Sequence, residues 1–449
     1  MSIAETRNRY LEGEYAPVQE EVSALDLPVV GTLPRELDGR YLRNGPNPVS
    51  PQDPARYHWF VGDGMVHGIR LRDGKAEWYR NRWVRSTAVA AALGEPEPEG
   101  EIHGGMDNAN TNVIGHAGRT FALVEAGARP VELSYDLDTL RRCDLDGTLP
   151  NGYTAHPKRD PETDELFAAS YHWALPGIQY TVIDAAGRVR KVETIDVEDG
   201  PMVHDMSITA SRAIFYDLPV TFSLDAAAAS MFPYRWNDDH PSRIGVMPRE
   251  GSAAEVQWFD VEPCYVFHPL NAYDDGERVV LDVVRHPSMF QSDVRGPNEG
   301  APTLWRWTVD PGSGTVKEEQ LDDRAIEFPR VDERVVGRPH RYGWAATLHD
   351  GDDLDFDGSR VARYDLETGA TETHDFGAGR TTGEAVFIPA TDDAAEDDGW
   401  VMSLVHDAAT DRSELVVLAA GDVAAEPVAR VMLPARVPLG FHGNWVPDQ

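Results

Sequence analysis

"WVMSLVHD" (400–407) and "ELVVLAAGD" (414–422), joined by "DAATDRS", carry apolar and polar residues in alternation on either side of a run of Asp, Thr and Ser. A period of two is that of a strand with one buried face, and the polar run between reads as a hairpin turn. The pattern returns in "RVVLDVVRH" (278–286) and "QYTVIDAAGR" (179–188), bounded by "DDG" or "AAG". Convincing helical stretches are few. A long all-β chain must dispose of its sheet edges, and radial repetition of four-stranded blades is one standard solution. The expected fold is therefore an all-β propeller. Seven blades would take about 64 residues each, above the ordinary blade of about 40–50, so the excess is expected as loops on one face. "TDDAAEDDG" (391–399) and "HDGDDLDFDG" (349–358) read as solvated hairpin tips rather than calcium loops, because neither has a glutamate at the required distance after a loop glycine.

The 449 residues include 76 acidic and 41 basic side chains, a formal charge of −35. Such a surface repels nucleic acid and anionic membranes, so neither is expected as the main partner. Only Lys75, Lys158, Lys191 and Lys317 are lysine, the remaining bases being arginine. An acid-rich, lysine-poor surface of this halophilic type suits strong salt, where screening extends only about 3 Å at 1 M. Two cysteines, Cys143 and Cys264, fit a reducing compartment without a disulfide framework. No signal core opens the sequence and no run approaches a membrane span, so the chain reads as cytoplasmic. "STAVAAALG" (86–94) and "LDAAAASMFPY" (224–234) read as short buried helices or, alternatively, as amphipathic surface elements.

Eleven of the 15 histidines, His286 among them, read as surface or satisfied core residues. Four share a local pattern: His156 in "GYTAHPK", His204 in "MVHDM", His268 in "VFHPLNAYD" and His442 in "FHGNW" sit beside apolar or aromatic residues and are followed closely by Pro, Asp or Gly. No two have zinc-finger or HExxH spacing. Their separations of 48, 64 and 174 residues correspond to one, one and three blades, which permits four imidazoles to meet on a propeller axis without requiring it. Cys264, four residues before His268, is a further candidate ligand, although a buried apolar cysteine is commoner.

"YLRNGPNP" (41–48), "HWFVGDGMVHGIRL" (58–71), "NTNVIGHAGRTFALVEAG" (110–127), "MVHDMSIT" (202–209), "YDLPVTF" (216–222), "FPYRW" (232–236), "FHPLNAYD" (267–274) and "FHGNW" (441–445) together resemble the carotenoid cleavage oxygenase family, in the family's order over nearly the whole chain. The resemblance implies one domain over residues 1–449: a seven-bladed β-propeller capped by a dome of loops and short helices over the metal-containing face. It implies a ferrous ion, Fe(II), on the axis, held by His156, His204, His268 and His442, the last carried by the C-terminal strand that finishes the last blade. It further implies three glutamates behind the ligands, matching Glu125, Glu327 and Glu384, with His156 left without one. A ligating histidine generally gives its other ring N–H to a carboxylate or carbonyl, which fixes its tautomer.

The implied activity is cleavage by O2 of a conjugated carbon–carbon double bond in an apolar polyene, giving two carbonyl products, with no obligate protein partner. Stilbene-cleaving members differ just before the first glutamate, where a lysine engages the substrate phenol. Here that residue is Val124, so a carotenoid or apocarotenoid is the expected substrate and a stilbene the alternative. A propeller that has lost its chemistry and serves as a binding scaffold is the reading of another class, and a structural zinc site a further one. A lipid-dissolved substrate also implies peripheral membrane contact, through 86–94 or 224–234.

Overall fold

The opening stretch forms the expected hairpin: Gly399–Asp407 pairs antiparallel with Arg412–Ala419, from Trp400 opposite Ala419 to Asp407 opposite Arg412. The computed structural model describes residues 7–173, 177–294, 299–348 and 358–448. Residues 349–357, including His349 and nearly all of the second acidic tip named above, lie outside them; 391–399 is the turn between Val386–Pro389 and Gly399–Asp407.

Seven antiparallel sheets are arranged as blades. In the first, the C-terminal strand Gly443–Pro447 is innermost, followed outward by Gly39–Pro46, Gly64–Arg72, Lys75–Trp83 and Ser23–Leu25. The second begins at Asn112–His116, the third at Lys158–Arg159, the fourth at Met206–Ile208, the fifth at Pro269–Asp275 and the sixth at Ile326–Arg330. The seventh has Arg380–Thr382 and Val386–Pro389 inside and the early strand Val29–Gly31 on its outer edge. The ring is thus stapled twice: an N-terminal strand completes the seventh blade, and the C-terminal strand completes the first rather than the last, as the sequence reading had it. Gly443 and Asn444 start that closing strand.

Local chemistry explains the hairpins. Between Arg72 and Lys75, Asp73 and Gly74 both take positive φ, 49° and 74°, the two-residue turn whose twist matches that of the flanking strands. Middle strands such as Gly39–Pro46 and Leu166–Ser170 are buried throughout, innermost strands are buried in part where they face the axis, and outer strands such as Thr315–Gln320 alternate or are exposed. Apolar side chains of facing sheets interlock between blades: Phe121, Leu123, Leu166 and Ile183 fill the gap between the second and third, and Val386, Leu404, Tyr41 and Ile69 that between the seventh and first.

Loops gather over one end of the axis. They include the helix Thr87–Leu93, capped by Ser86 Oγ accepting from Val89 N and ended by Gly94 at φ 69°, and a hairpin, Val220–Phe222 with Tyr234–Trp236, whose connection holds the helix Leu224–Ala229. Tyr10, Tyr15, Trp59 and Phe441 pack together there, tying both chain ends into the dome.

Candidate metal centre

Each of the four histidines singled out in the sequence stands at or just before an innermost strand. His156 precedes Lys158–Arg159, His204 precedes Met206–Ile208, His268 leads directly into Pro269–Asp275, and His442 into Gly443–Pro447. They therefore occupy the same level of blades three, four, five and one. One ring nitrogen from each lies within 4.8 Å of the others, and all four residues are buried. No other such cluster occurs among the described residues. Cys264 is outside it, buried in the core with its thiol pushed up to about 12 by burial.

The three glutamates come from the three remaining blades. Glu125 follows the strand Arg119–Leu123 of the second, Glu327 lies in Ile326–Arg330 of the sixth, and Glu384 sits between the two inner strands of the seventh. Glu327 Oε2 is 2.6 Å from His268 Nδ1, Glu384 Oε1 is 3.0 Å from His442 Nδ1, and Glu125 Oε1 is 2.8 Å from His204 Nδ1 in a bent approach. His156, between the blades of Glu125 and His204, has no glutamate; its Nδ1 is 3.8 Å from Asp205 Oδ2, which Lys158 Nζ holds at 2.7 Å.

These contacts fix the proton positions. A carboxylate only accepts, so Nδ1 of His268 and of His442 carries the hydrogen and Nε2 is a bare lone pair, while His204 Nδ1 lies beside Glu125 Oε1 without hydrogen-bond geometry. His204 Nε2 and His268 Nε2 face each other at 3.1 Å, and His156 Nε2 is buried with no hydrogen-bond partner. Lone pairs aimed at one another in a buried space repel unless a cation lies among them, and neutral imidazoles are what transition metals require. Burial drives the His268 ring down to about 3 and His156 well below its ordinary value, keeping both neutral. Burial raises the Glu384 carboxyl, but Arg330 and His442 outweigh it and bring the group down to about 2. Glu327 is likewise held low against its burial by His268 and His286. The donor set fits a metal ion.

Backbone geometry at Glu327 is specialised. A bulge between Glu327 and Arg330 interrupts the pairing, and Phe328 takes φ 55°. Consecutive residues of a strand would face opposite ways; the bulge instead turns Glu327 toward His268 and Phe328 to within 5.3 Å of the same ring.

An apolar cavity of about 250 Å³ reaches the cluster from the dome, touching His204, His268 and His442. Phe60, Phe232, Phe267, Phe328 and Phe441 form much of its wall, and Val124 contributes beside Glu125. No lysine or arginine among the described residues lines it. Segment 224–234 borders the cavity through Met231, Phe232, Pro233 and Tyr234, whereas 86–94 does not. Trp173 and Met231, 54% and 50% exposed, mark its outer end.

Sequence reasoning missed the groups that hold the far oxygens of the glutamates. Tyr171 Oη donates to Glu125 Oε2 at 2.8 Å, His286 Nε2 lies 2.6 Å from Glu327 Oε1, and Arg330 Nη1 is 3.1 Å from Glu384 Oε2. Only their positions in space distinguish them from an ordinary tyrosine, histidine and arginine.

A profile of the family described as "Retinal pigment epithelial membrane protein" matches residues 15–447. The chain is 47% identical to the carotenoid cleavage oxygenase of Mycobacterium tuberculosis, over 99% of this chain and 98% of that protein. It is 34% identical to the carotenoid 9,10(9',10')-cleavage dioxygenase of Crocus sativus, over 98% and 89%. Among solved structures, the lignostilbene dioxygenase of Pseudomonas brassicacearum superposes with a TM-score of 0.90 at 30% identity, covering 100% of both chains. Propeller, histidine cluster and relatives define an oxygenase with a metal-binding centre. The chain belongs to the carotenoid cleavage oxygenase family.

Proposed function

We propose that the protein is a non-haem iron(II) dioxygenase that splits one conjugated double bond of a carotenoid or apocarotenoid into two carbonyl products. The observation that carries this reading is the meeting of four imidazole nitrogens, with the rings of His204, His268 and His442 lining the inner end of an aromatic cavity. Iron held by His156, His204, His268 and His442 would supply the binding and activation of dioxygen. Iron rather than structural zinc is favoured because alkene cleavage needs a redox-active ion, and because structural zinc sites usually include cysteine, which is absent from this cluster.

The side chains do the rest. Glu327 and Glu384 hold two rings in the tautomer that leaves Nε2 free, and Glu125 lies beside a third. The phenylalanines exclude water and align the polyene, so the choice of double bond follows from how far the chain slides in. Alkene plus O2 balances to two carbonyls without a proton gained or lost, so no side chain is needed as acid or base. A cavity of about 250 Å³ is small for a ligand site, which favours a substrate whose remainder extends past Trp173 and Met231. That end, with Leu224 76% exposed nearby in sequence, is our candidate for peripheral membrane contact and substrate uptake. Among the described residues no helix is long and apolar enough to cross a membrane.

The likeness to lignostilbene dioxygenase favours a second reading, a hydroxystilbene substrate. Against it stands the lining: Val124 cannot engage a phenolate, and no lysine or arginine among the described residues lines the cavity. Incubating iron-loaded protein with carotenoids, apocarotenals and hydroxystilbenes and identifying the aldehydes separates the two. Carbonyl products from stilbenes alone would overturn the first reading. A protein that takes up no iron, or whose His268→Ala variant behaves like the parent, would be a binding scaffold. We further read the charge of −35 as an adaptation to strong salt.

A further inference from the structure

A second cavity, of about 790 Å³, reaches the same cluster from the opposite side. The two share His268 and His442; the apolar one alone touches His204 and the second alone touches His156. Their linings follow the chain through each ligand. Phe267 and Phe441, immediately before His268 and His442, face the apolar cavity, whereas Pro269 to Ala272 and Asn444 to Asp448, immediately after, line the second. The histidines are thus a partition, with an aromatic tunnel above and a funnel down the inner strands below. The funnel is polar: Lys158, Asp205, Arg330, Glu333 and Asn444 contribute to its wall.

We propose that this axial funnel is the path by which the metal ion loads into and leaves the four-histidine site, and that His156 is the ligand that swings to let it pass. The proposal rests on the reading that the four histidines hold a metal. Moving an ion from water into a medium of low dielectric is strongly opposed by the loss of its hydration, and that cost rises with the square of the charge. A divalent cation is therefore opposed along the tunnel, whose wall is mostly aromatic and aliphatic, with Asn108, Thr111 and Glu125 among the few polar side chains. The funnel offers carboxylates and amides, interspersed with the cations of Arg40, Arg119, Lys158, Arg159 and Arg330, and has Asp205 next to the cluster. Restraint of the rings points the same way. His268 and His442 are hydrogen-bonded to carboxylates and His204 lies against one, but His156, the ring on the funnel side, has its nearest carboxylate at 3.8 Å. That carboxylate is already held by Lys158 Nζ and by Met206 N, so the His156 ring can turn without breaking a hydrogen bond at Nδ1.

The test is a reversible plug. Ile114 lines the funnel and is half-buried, while Cys143 and Cys264 are buried and should not react. Metal-stripped Ile114→Cys protein is labelled with a bulky methanethiosulfonate, and Co(II) uptake is followed by its visible absorption. The control carries the same label on Met231→Cys at the outer end of the apolar tunnel. We expect uptake at least tenfold slower with the funnel label, recovery when a thiol removes it, and no more than a twofold change with the tunnel label. Unchanged uptake with the funnel label in place, or slowing by the tunnel label instead, overturns the proposal. Failure of the unlabelled stripped protein to bind Co(II) at all would overturn the metal reading itself, and the proposal with it.

Discussion

His286 Nε2 and Glu327 Oε1 lie 2.6 Å apart, and neither side chain is open to solvent. The other oxygen of Glu327 faces His268 Nδ1 at 2.6 Å and accepts from the Phe328 N–H. One carboxylate therefore joins an imidazole at the end of the strand Arg278–Arg285 to an imidazole of the metal cluster. The orientation of His268 depends on a residue that never approaches the metal.

Removing His286 should therefore weaken the centre. His286→Ala leaves Glu327 Oε1 without its donor, and loss of such outer partners typically lowers metal affinity about 10–100-fold. His286→Gln, which keeps an N–H donor, should recover part of it. Competition with a chelator measures both, and parental affinity in His286→Ala would refute the link.

Stability of the metal-free protein should fall on acidification in two overlapping windows. His268 is held down to about 3, so the unfolded chain, with an ordinary histidine value of about 6.5, binds more protons between those limits and stability drops as pH falls through them. Glu384 is lowered to about 2 from 4.5, so its contribution is whole above about 4.5 and is lost as pH descends toward 2. Thermal melts against pH should show Tm declining from near pH 6.5 downward. A flat profile to pH 4 would contradict the burial of these groups.

The closing strand should tolerate no side chain at Gly443. A Cβ there would lie 3.0 Å from Tyr41 Oη and 3.1 Å from the Leu42 carbonyl, and Gly443 N also donates to Glu384 Oε2 at 2.7 Å. Overpacking of this kind costs about 1–3 kcal/mol. Gly443→Ala should lower the unfolding midpoint and, by shifting Glu384, loosen the metal; equal stability in denaturant titration would show that the strand can yield.

Val124→Lys places a cation on the tunnel wall beside Glu125. Cleavage of apolar polyenes should fall and binding of hydroxystilbenes should appear, read by fluorescence quenching of the stilbene. Retention of full polyene activity would mean that Val124 does not touch the substrate.

Salt should stabilise the protein. Raising ionic strength from about 0.1 M to about 1 M shortens the screening distance from about 10 Å to about 3 Å, which relieves repulsion within a chain of charge −35. Tm should rise steadily over that range, and a fall would remove the reading of the acidic surface as a salt adaptation.

Much of this was legible beforehand. The period-two runs gave the strands, and the intervals of 48, 64 and 174 residues between histidines match one, one and three blades in the ring. Glu125, Glu327 and Glu384 were legible only through the family resemblance, since taken alone each reads as a surface acid. His286, Tyr171 and Arg330 left no trace, since their importance consists of an atom placed within about 3 Å of a carboxylate from another blade. The destination of the C-terminal strand was misread for a related reason: a strand's alternation says that it pairs but not with which neighbour.

By itself the sequence determined the short alternating strands of an all-β chain, because periodicity is a local property, and its motifs shared with the family supplied the expected seven blades and four histidine ligands. Tertiary structure alone decided which nitrogens face one another, which acid serves which ring, and that an aromatic cavity and a polar one meet at the histidines from opposite sides. Those are distances between residues remote in the chain, and they exist only once the propeller has closed, with Gly443–Pro447 paired against Gly39–Pro46.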